Sequence, residues 1–163
     1  MLSTKAVTIC HGFFYYTKGG DDMTVVSNYT WTAPKTTWVK TDFINYTDYM
    51  RIRNNIGYLY DFASALYATM GTLTPMVVKN GYSNYAFASE WNALEANLHM
   101  IFDSIVTSDI GTQMTFYPNG RTLNYAELNR IESATLSMYN ELSGQAEGRP
   151  MLAFTLNGGT IQV

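Results

Sequence analysis

The chain has 163 residues and a formal net charge of −3; 14% of its residues are charged and 15% are aromatic. Its basic residues do not cluster beyond Arg51 and Arg53, so the chain lacks the positively charged surface of a nucleic-acid-binding protein. No apolar run approaches the about 20 residues of a membrane-spanning helix, and the single cysteine excludes an intramolecular disulfide, which fits folding in a reducing cytoplasm.

Residues 1–40 are predicted to form a β-rich N-terminal segment. This segment contains several short runs of β-branched and aromatic residues, which are typical of strands, at residues 6–9, 13–16, 25–26 and 36–39. Cys10 and His11 are adjacent, and adjacent side chains of a strand point to opposite faces. They are therefore not expected to form a nucleophile–base pair.

Helix openings of one type occur three times and define a helical repeat region at residues 41–144. They start at Asn45, Phe87 and Asn124, at uneven spacing, and each has an acid three residues later. Behind each opening, apolar residues recur in steps of three and four, which predicts a helix with one apolar stripe. Self-similarity of this kind indicates a small unit that buries its apolar face only against its neighbours. The residues predicted to be buried in the three stripes are Ile52, Ile56, Leu59, Trp91, Leu94, Leu98, Leu128, Ile131 and Met138.

Two of the three openings carry the signature of a capping box. Asn45 and Asn124 are placed to accept hydrogen bonds from the first backbone N–H groups of their helices, and Asp48 and Glu127 to bond back to the caps. Phe87 cannot cap in this way, so Ser83 or Ser89 is expected to cap the second helix.

The connections and the C terminus are also predicted to contain strands. Gly71 and Gly111 suit left-handed helix C-caps. They are followed by β-prone residues 76–78 and 114–117. The C-terminal segment, residues 145–163, has two β-prone runs around a glycine-rich turn and is predicted to be a β-hairpin. The predicted fold class is therefore α+β: a bundle of three repeated amphipathic helices with β-rich N- and C-terminal segments, in a single domain of residues 1–163.

Candidate catalytic chemistry is not evident in the sequence. Two histidines and one cysteine at unrelated positions do not make a zinc-binding pattern, and His99 is interpreted as a residue at the edge of the helical core. We therefore expect no enzymatic activity, no catalytic or metal-binding residues and no cofactor.

The first and third helix openings resemble a motif of tail-associated virion proteins of phages that infect Gram-positive bacteria. That motif has a Trp, a short spacer and a helix start of the form Asn-x-x-Asp-x-Asn-Arg-Ile-x-x-Asn-Ile. In the first copy Trp38 precedes the helix start at Asn45, and Met50 replaces the second Asn of the motif; the third copy, residues 123–132, matches more fully. The resemblance implies a structural protein of the phage tail, baseplate or fibre region. A head or neck fibre or decoration protein is an alternative. The resemblance implies a location in the virion after synthesis in the host cytoplasm, and it implies no catalytic residues.

The low charge and the many aromatic residues predict exposed rings at an interface, because interface cores are poor in charge and rich in Tyr, Trp and Phe. The expected partners are further copies of the chain, in a homo-oligomer, and other virion proteins. The alternative is a carbohydrate-binding module for a host surface glycan. Rings dispersed over the lateral faces favour assembly, whereas rings clustered in one groove with Asp, Asn and Gln favour sugar binding. The candidate interface residues are Trp31, Trp38, Tyr46, Tyr58, Tyr82 and Tyr85.

Overall fold

A computed structural model describes residues 14–15, 24–25, 27–121 and 123–157, with side chains for residues 27–121 and 123–148. Its helices are α1 (Tyr46–Leu66), α2 (Ala88–Ser104) and α3 (Tyr125–Asn157). The strands β1 (Phe14–Tyr15) and β2 (Thr24–Val25) form a short antiparallel pair. The expectations for residues 6–9, for Cys10 and for His11 lie outside the described residues.

The predicted capping boxes of α1 and α3 are confirmed. The Asn45 Oδ1 atom accepts from the Thr47 N–H at 2.8 Å, and the Asp48 carboxylate accepts from the Asn45 N–H at 3.1 Å. At the start of α3, the Asn124 Oδ1 atom accepts from the Ala126 N–H and the Glu127 carboxylate accepts from the Asn124 N–H in the same way. The expectation of a serine cap for α2 was wrong, because no side chain before the helix accepts from its first N–H groups. The contact present there is the reverse half of a capping box, in which the Glu90 carboxylate accepts from the Phe87 N–H at 2.7 Å.

The three apolar stripes pack into one core, as predicted. All nine predicted side chains are buried; Trp91 is the most exposed of them, at 7%. Contacts at both ends of the helices show that they run parallel. Near the starts of the helices, Arg51 of α1 bonds Glu132 of α3. Near the ends of α1 and α2, the Tyr67 hydroxyl bonds Gln145, further along α3, and accepts from the Val106 N–H that follows α2. The N-termini of all three helices therefore lie at the same end of the bundle.

The predicted glycine C-caps were wrong, because the helices end several residues earlier. Tyr67 and Ile105 are the C-caps, and both have extended backbone. Gly111 lies within the following linker, where its φ of 80° is in the left-handed region that favours glycine.

The described residues of the three segments 27–45, 67–87 and 105–124, each of which leads into a helix, contain no strand, which corrects the β-rich prediction for residues 27–40, 76–78 and 114–117. We define them as linker 1 (residues 27–45), linker 2 (67–87) and linker 3 (105–124). Their backbones hydrogen-bond to asparagine side chains of the helices. Asn55 accepts from the Thr32 N–H at 2.9 Å and donates to its carbonyl at 2.8 Å. Asn97 binds Thr74 in the same two-bonded way.

Each linker also bonds to the helix that precedes it around the bundle. Asn92 of α2 makes two bonds to the backbone of Phe116 in linker 3, at 2.7 and 2.8 Å. Asn129 of α3 binds the backbone of Trp38 in linker 1 at 2.7 and 2.9 Å, which closes the ring. At the equivalent position of α1, the Met50 sulfur accepts from the Lys79 N–H of linker 2 at 3.2 Å. The chain is thus three similar linker–helix units arranged with approximate threefold symmetry.

This arrangement explains why the linkers have strand-like sequences without forming a sheet. β-Branched and aromatic residues favour an extended backbone, but an extended backbone also needs partners for its N–H and C=O groups. In this chain the helix asparagines are those partners for Thr32, Trp38, Thr74 and Phe116. The helix asparagines therefore take the place of the neighbouring strand that the sequence led us to expect for these residues.

The predicted C-terminal hairpin was also wrong, because α3 continues to Asn157. Residues 145–157 are helical, and residues 158–163 of the predicted hairpin lie outside the described residues. Extending an existing helix adds one hydrogen bond for each residue fixed, without a new nucleation cost, so local strand propensity is easily overridden there. The described fold is mostly helical and not α+β.

Candidate functional site

A cavity of about 850 Å³ opens at the end of the bundle where the three helices begin. Its walls come from the starts of α1 and α2 and from the ends of all three linkers. The parallel arrangement of the helices, fixed by the asparagine and ion-pair contacts between the units, brings these five segments together. The cavity is therefore a product of the threefold arrangement.

Exposed aromatic rings surround the cavity. Tyr82, Tyr85 and Phe87 come from linker 2 and are 73%, 79% and 68% exposed, and Tyr117 of linker 3 is 69% exposed. Tyr46 at the start of α1 meets Tyr82 edge to face, with ring centroids 4.8 Å apart. The rings of two linkers and one helix thus converge on one concavity.

Buried rings form the floor of the cavity. Tyr49 packs edge to face against Trp91, with ring centroids 5.4 Å apart, and Phe116 is buried beside them. Burial raises the pKa of Tyr49 to about 12, and the nearby Glu90 adds to this shift. The Tyr49 hydroxyl in the floor is therefore uncharged near neutral pH.

Besides the tyrosine hydroxyls, the polar side chains at the cavity are three amides, one serine hydroxyl and one paired cation. Asn45, Asn84 and Asn119 line it together with Ser89. Arg121 also lines it and forms an ion pair with Glu127. The described lining residues include no Asp, Glu, His, Cys or Lys, so the cavity suits stacking and hydrogen bonding and offers none of those groups for acid–base or nucleophilic chemistry.

The structure divides the six candidate interface residues into two groups. Tyr46, Tyr82 and Tyr85 line the cavity. Trp31 stacks on Tyr139, with centroids 4.2 Å apart, and Tyr58 lies in the same cluster, 5.9 Å from Trp31. Trp38 is 3% exposed and donates its indole N–H to Glu132. The rings of Trp31, Trp38 and Tyr58 are therefore used in packing within the chain.

Sequence analysis missed two buried carboxylates that join the units. Glu132 accepts from the Lys35 N–H, from the Trp38 indole and from the Arg51 guanidinium. At the equivalent position of α2, Glu95 is bonded by Arg130. Both acids lie eight residues after the first residue of their helix opening, and both arginines lie six residues after the first residue of theirs. A comparison of the repeated units at this position, beyond the capping residues, could have revealed them.

His99 lies beside the buried Glu95 carboxylate, and its surroundings predict that the stability of the fold decreases in acid. Burial is the main cause that lowers its pKa, and Arg130 of α3 adds to it; Asp103 of α2 and Asp109 of linker 3 act in the opposite direction. The Nε2 atom is 3.9 Å from Glu95, whose own pKa is raised by burial. The unfolded chain takes up a proton on His99 below about pH 6.5, whereas the folded chain resists it, so this contribution to stability is lost as the pH falls.

We therefore expect His99→Gln to reduce the loss of unfolding free energy between pH 7.5 and pH 5.5 in urea titrations. The raised pKa of Glu95 has the opposite effect on the pH dependence of stability. Because Glu95 is present in both proteins, the variant is compared with the wild type at each pH. An unchanged difference between the two pH values would contradict this role of His99.

The described residues contain no group of three His, Cys, Asp or Glu side chains that could hold a metal ion. No helix in the described part of the chain is long and apolar enough to cross a membrane.

Comparisons of the chain with protein-family models, with curated proteins and with solved structures found no match.

Proposed function

We propose that this chain is a structural protein of the tail, baseplate or fibre apparatus of a phage of Gram-positive bacteria, acting by protein–protein assembly and not as an enzyme. The observation that carries the proposal concerns the motif shared with such proteins. The Trp position and the Asn-Arg positions of that motif correspond here to Trp38, Asn129 and Arg130, which join linker 1 to α3 and α3 to α2. Motif residues with this role determine how the linkers and helices are held together, and a stable scaffold is what a structural component of a virion requires. A head or neck fibre or decoration protein would fit the same observation.

Self-association of this protein would depend on its outer surface. The three helix stripes are satisfied within one chain, so they provide no contact for another copy. Linker 1 offers one apolar surface, where Phe43 is 92% exposed and Val39 is 53% exposed. Exposed apolar side chains that lie close together are typical of protein contact sites.

The test is the composition of purified particles. Phage particles released by a host that carries the gene should be purified on a density gradient and analysed by mass spectrometry, with an abundant cytoplasmic protein of the host as the control for contamination. We expect the chain to remain with the particles and an antibody against it to label the tail in electron microscopy. Recovery of the chain only from the particle-free lysate, with the mass of a single copy in solution, would contradict the proposal.

A host-surface carbohydrate-binding module is the second candidate function. The specific observation in its favour is that Tyr46, Tyr82, Tyr85 and Tyr117 cluster in one cavity with asparagines, whereas assembly alone predicts rings dispersed over the lateral faces.

A further inference from the structure

We propose that the cavity at the N-terminal end of the bundle binds a neutral oligosaccharide. The proposal concerns the site and its ligand class, and it does not depend on whether the chain belongs to a virion.

The exposed rings provide the apolar part of such a site. Tyr82, Tyr85 and Tyr117 are each more than two-thirds exposed although they surround a concave surface. Tyrosine offers a large, rigid face at a small cost in conformational entropy, and its hydroxyl can bond at the edge of a ligand. The two faces of a pyranose ring carry C–H groups that pack on aromatic rings, while its hydroxyls point outward in the plane of the sugar. Rings on separate walls are suited to hold successive sugar residues.

The amides provide the polar part. The described contacts of Asn45 use its Oδ1 atom, and the contact of Asn84 uses its Nδ2 atom, which leaves the other amide atom of each for a ligand. Ser89 is exposed at the same rim, and Asn119 lies on the Tyr117–Gly120 turn with a φ of 57°. Amide and hydroxyl groups can both donate to and accept from sugar hydroxyls.

The charge and the volume of the cavity limit the class of ligand that it can bind. Arg121, the charged residue among the described lining residues, forms an ion pair with Glu127, so the two side chains together add no net charge to the cavity, which favours a neutral ligand over a phosphate or a carboxylate. A volume of about 850 Å³ falls in the range of small-molecule sites, roughly 300–1,000 Å³. It suits a short oligosaccharide better than a protein surface, which would need a flat or protruding contact area.

Binding can be measured directly on the purified chain, because Trp91 forms part of the cavity floor. The probes are maltotriose, cellotriose and chitotriose at millimolar concentration, followed by tryptophan fluorescence and by saturation-transfer NMR. We expect at least one of them to bind and to transfer saturation from tyrosine ring protons. Failure of all three to bind the wild-type chain would overturn the proposal.

Two variants and a control locate the binding site. Tyr82→Ala and Tyr117→Ala are each expected to weaken binding about tenfold, the size of effect seen when one stacking ring is removed from a nucleic-acid site. Tyr125→Ala removes a ring of the same type that is 46% exposed at the start of α3 and does not line this cavity, and it should leave binding unchanged. Circular dichroism checks that each variant folds. If the two cavity variants bound the sugar as tightly as the wild type, the assignment of the binding site to this cavity would be wrong.

The outcomes also separate this inference from the proposed function. Sugar binding by a chain that does not enter particles would support the site and contradict the virion role. If Tyr82→Ala changes the mass of the assembly or its entry into particles while no sugar binds, the cavity is a protein interface and the saccharide proposal is wrong.

Discussion

Leu98→Ala is expected to lower the free energy of unfolding by about 2–5 kcal/mol, because it removes a completely buried side chain and leaves a cavity in the core. Leu98 lies on the apolar stripe of α2, and Leu59 of α1 is equally buried. The three units form one core, so there is no separate unit in which the loss could be contained. Leu59→Ala should therefore have an effect of the same size.

The measurement is urea-induced unfolding followed by circular dichroism, and Val78→Ala is the control. Val78 is 62% exposed in linker 2, so its substitution is expected to change the unfolding free energy by less than about 0.5 kcal/mol. If Leu98→Ala were as mild as Val78→Ala, the apolar stripes would not form the continuous core that the structure describes.

The stripes and caps were predictable because both are local patterns. A helix places every third or fourth residue on one face, so the spacing of Ile52, Ile56 and Leu59 is enough to assign them to the core. The capping box of Asn45 and Asp48 depends on residues three positions apart. Sequence spacing contains all the information that these features need.

The partners of the linkers could not be predicted in this way. Trp38 and Asn129 are 91 residues apart in sequence, and no local pattern in linker 1 indicates that α3 will bond its backbone. The β-prone residues around Trp38 therefore predict a strand in a sheet, which the structure does not contain at this position. The C-terminal residues show the same limitation, because their β-prone composition was a weaker influence than the helix that reaches them from Tyr125.

The candidate site was only partly predictable for the same reason. Tyr46, Tyr82 and Tyr85 were expected to lie at a surface, from composition alone, and they do line the cavity. Trp38 was expected at an interface and is buried, because its indole has a partner on another helix. Composition shows that a chain has more rings than an ordinary core, but only the arrangement of the units determines which rings remain exposed.

Substitution of Glu132 is expected to have the second large effect on the free energy of unfolding. Its buried carboxylate accepts four hydrogen bonds: from the Lys35 N–H at 2.8 Å, the Trp38 indole at 3.0 Å, and the Arg51 Nε and Nη2 atoms at 3.1 and 2.6 Å. A buried charge with this many donors is well satisfied, and removal of one member of a buried ion pair costs about 3–5 kcal/mol. We expect Glu132→Gln to cost this much, because the new amide nitrogen faces donors that it cannot accept from.

Glu147→Gln is the matched control, since Glu147 is an exposed residue of the same helix and the change in charge is identical. It should alter the unfolding free energy by less than about 0.5 kcal/mol. A second readout tests the contact itself: the indole N–H resonance of Trp38 should shift in Glu132→Gln and stay in place in Glu147→Gln. A loss of stability without that shift would contradict the assigned hydrogen bond, and a loss below about 1 kcal/mol would mean that Glu132 does not hold linker 1 and α1 to α3. The closure of the ring between the first and third units depends on these contacts and on those of Asn129, so Glu132→Gln should weaken that junction more than it weakens the helices themselves.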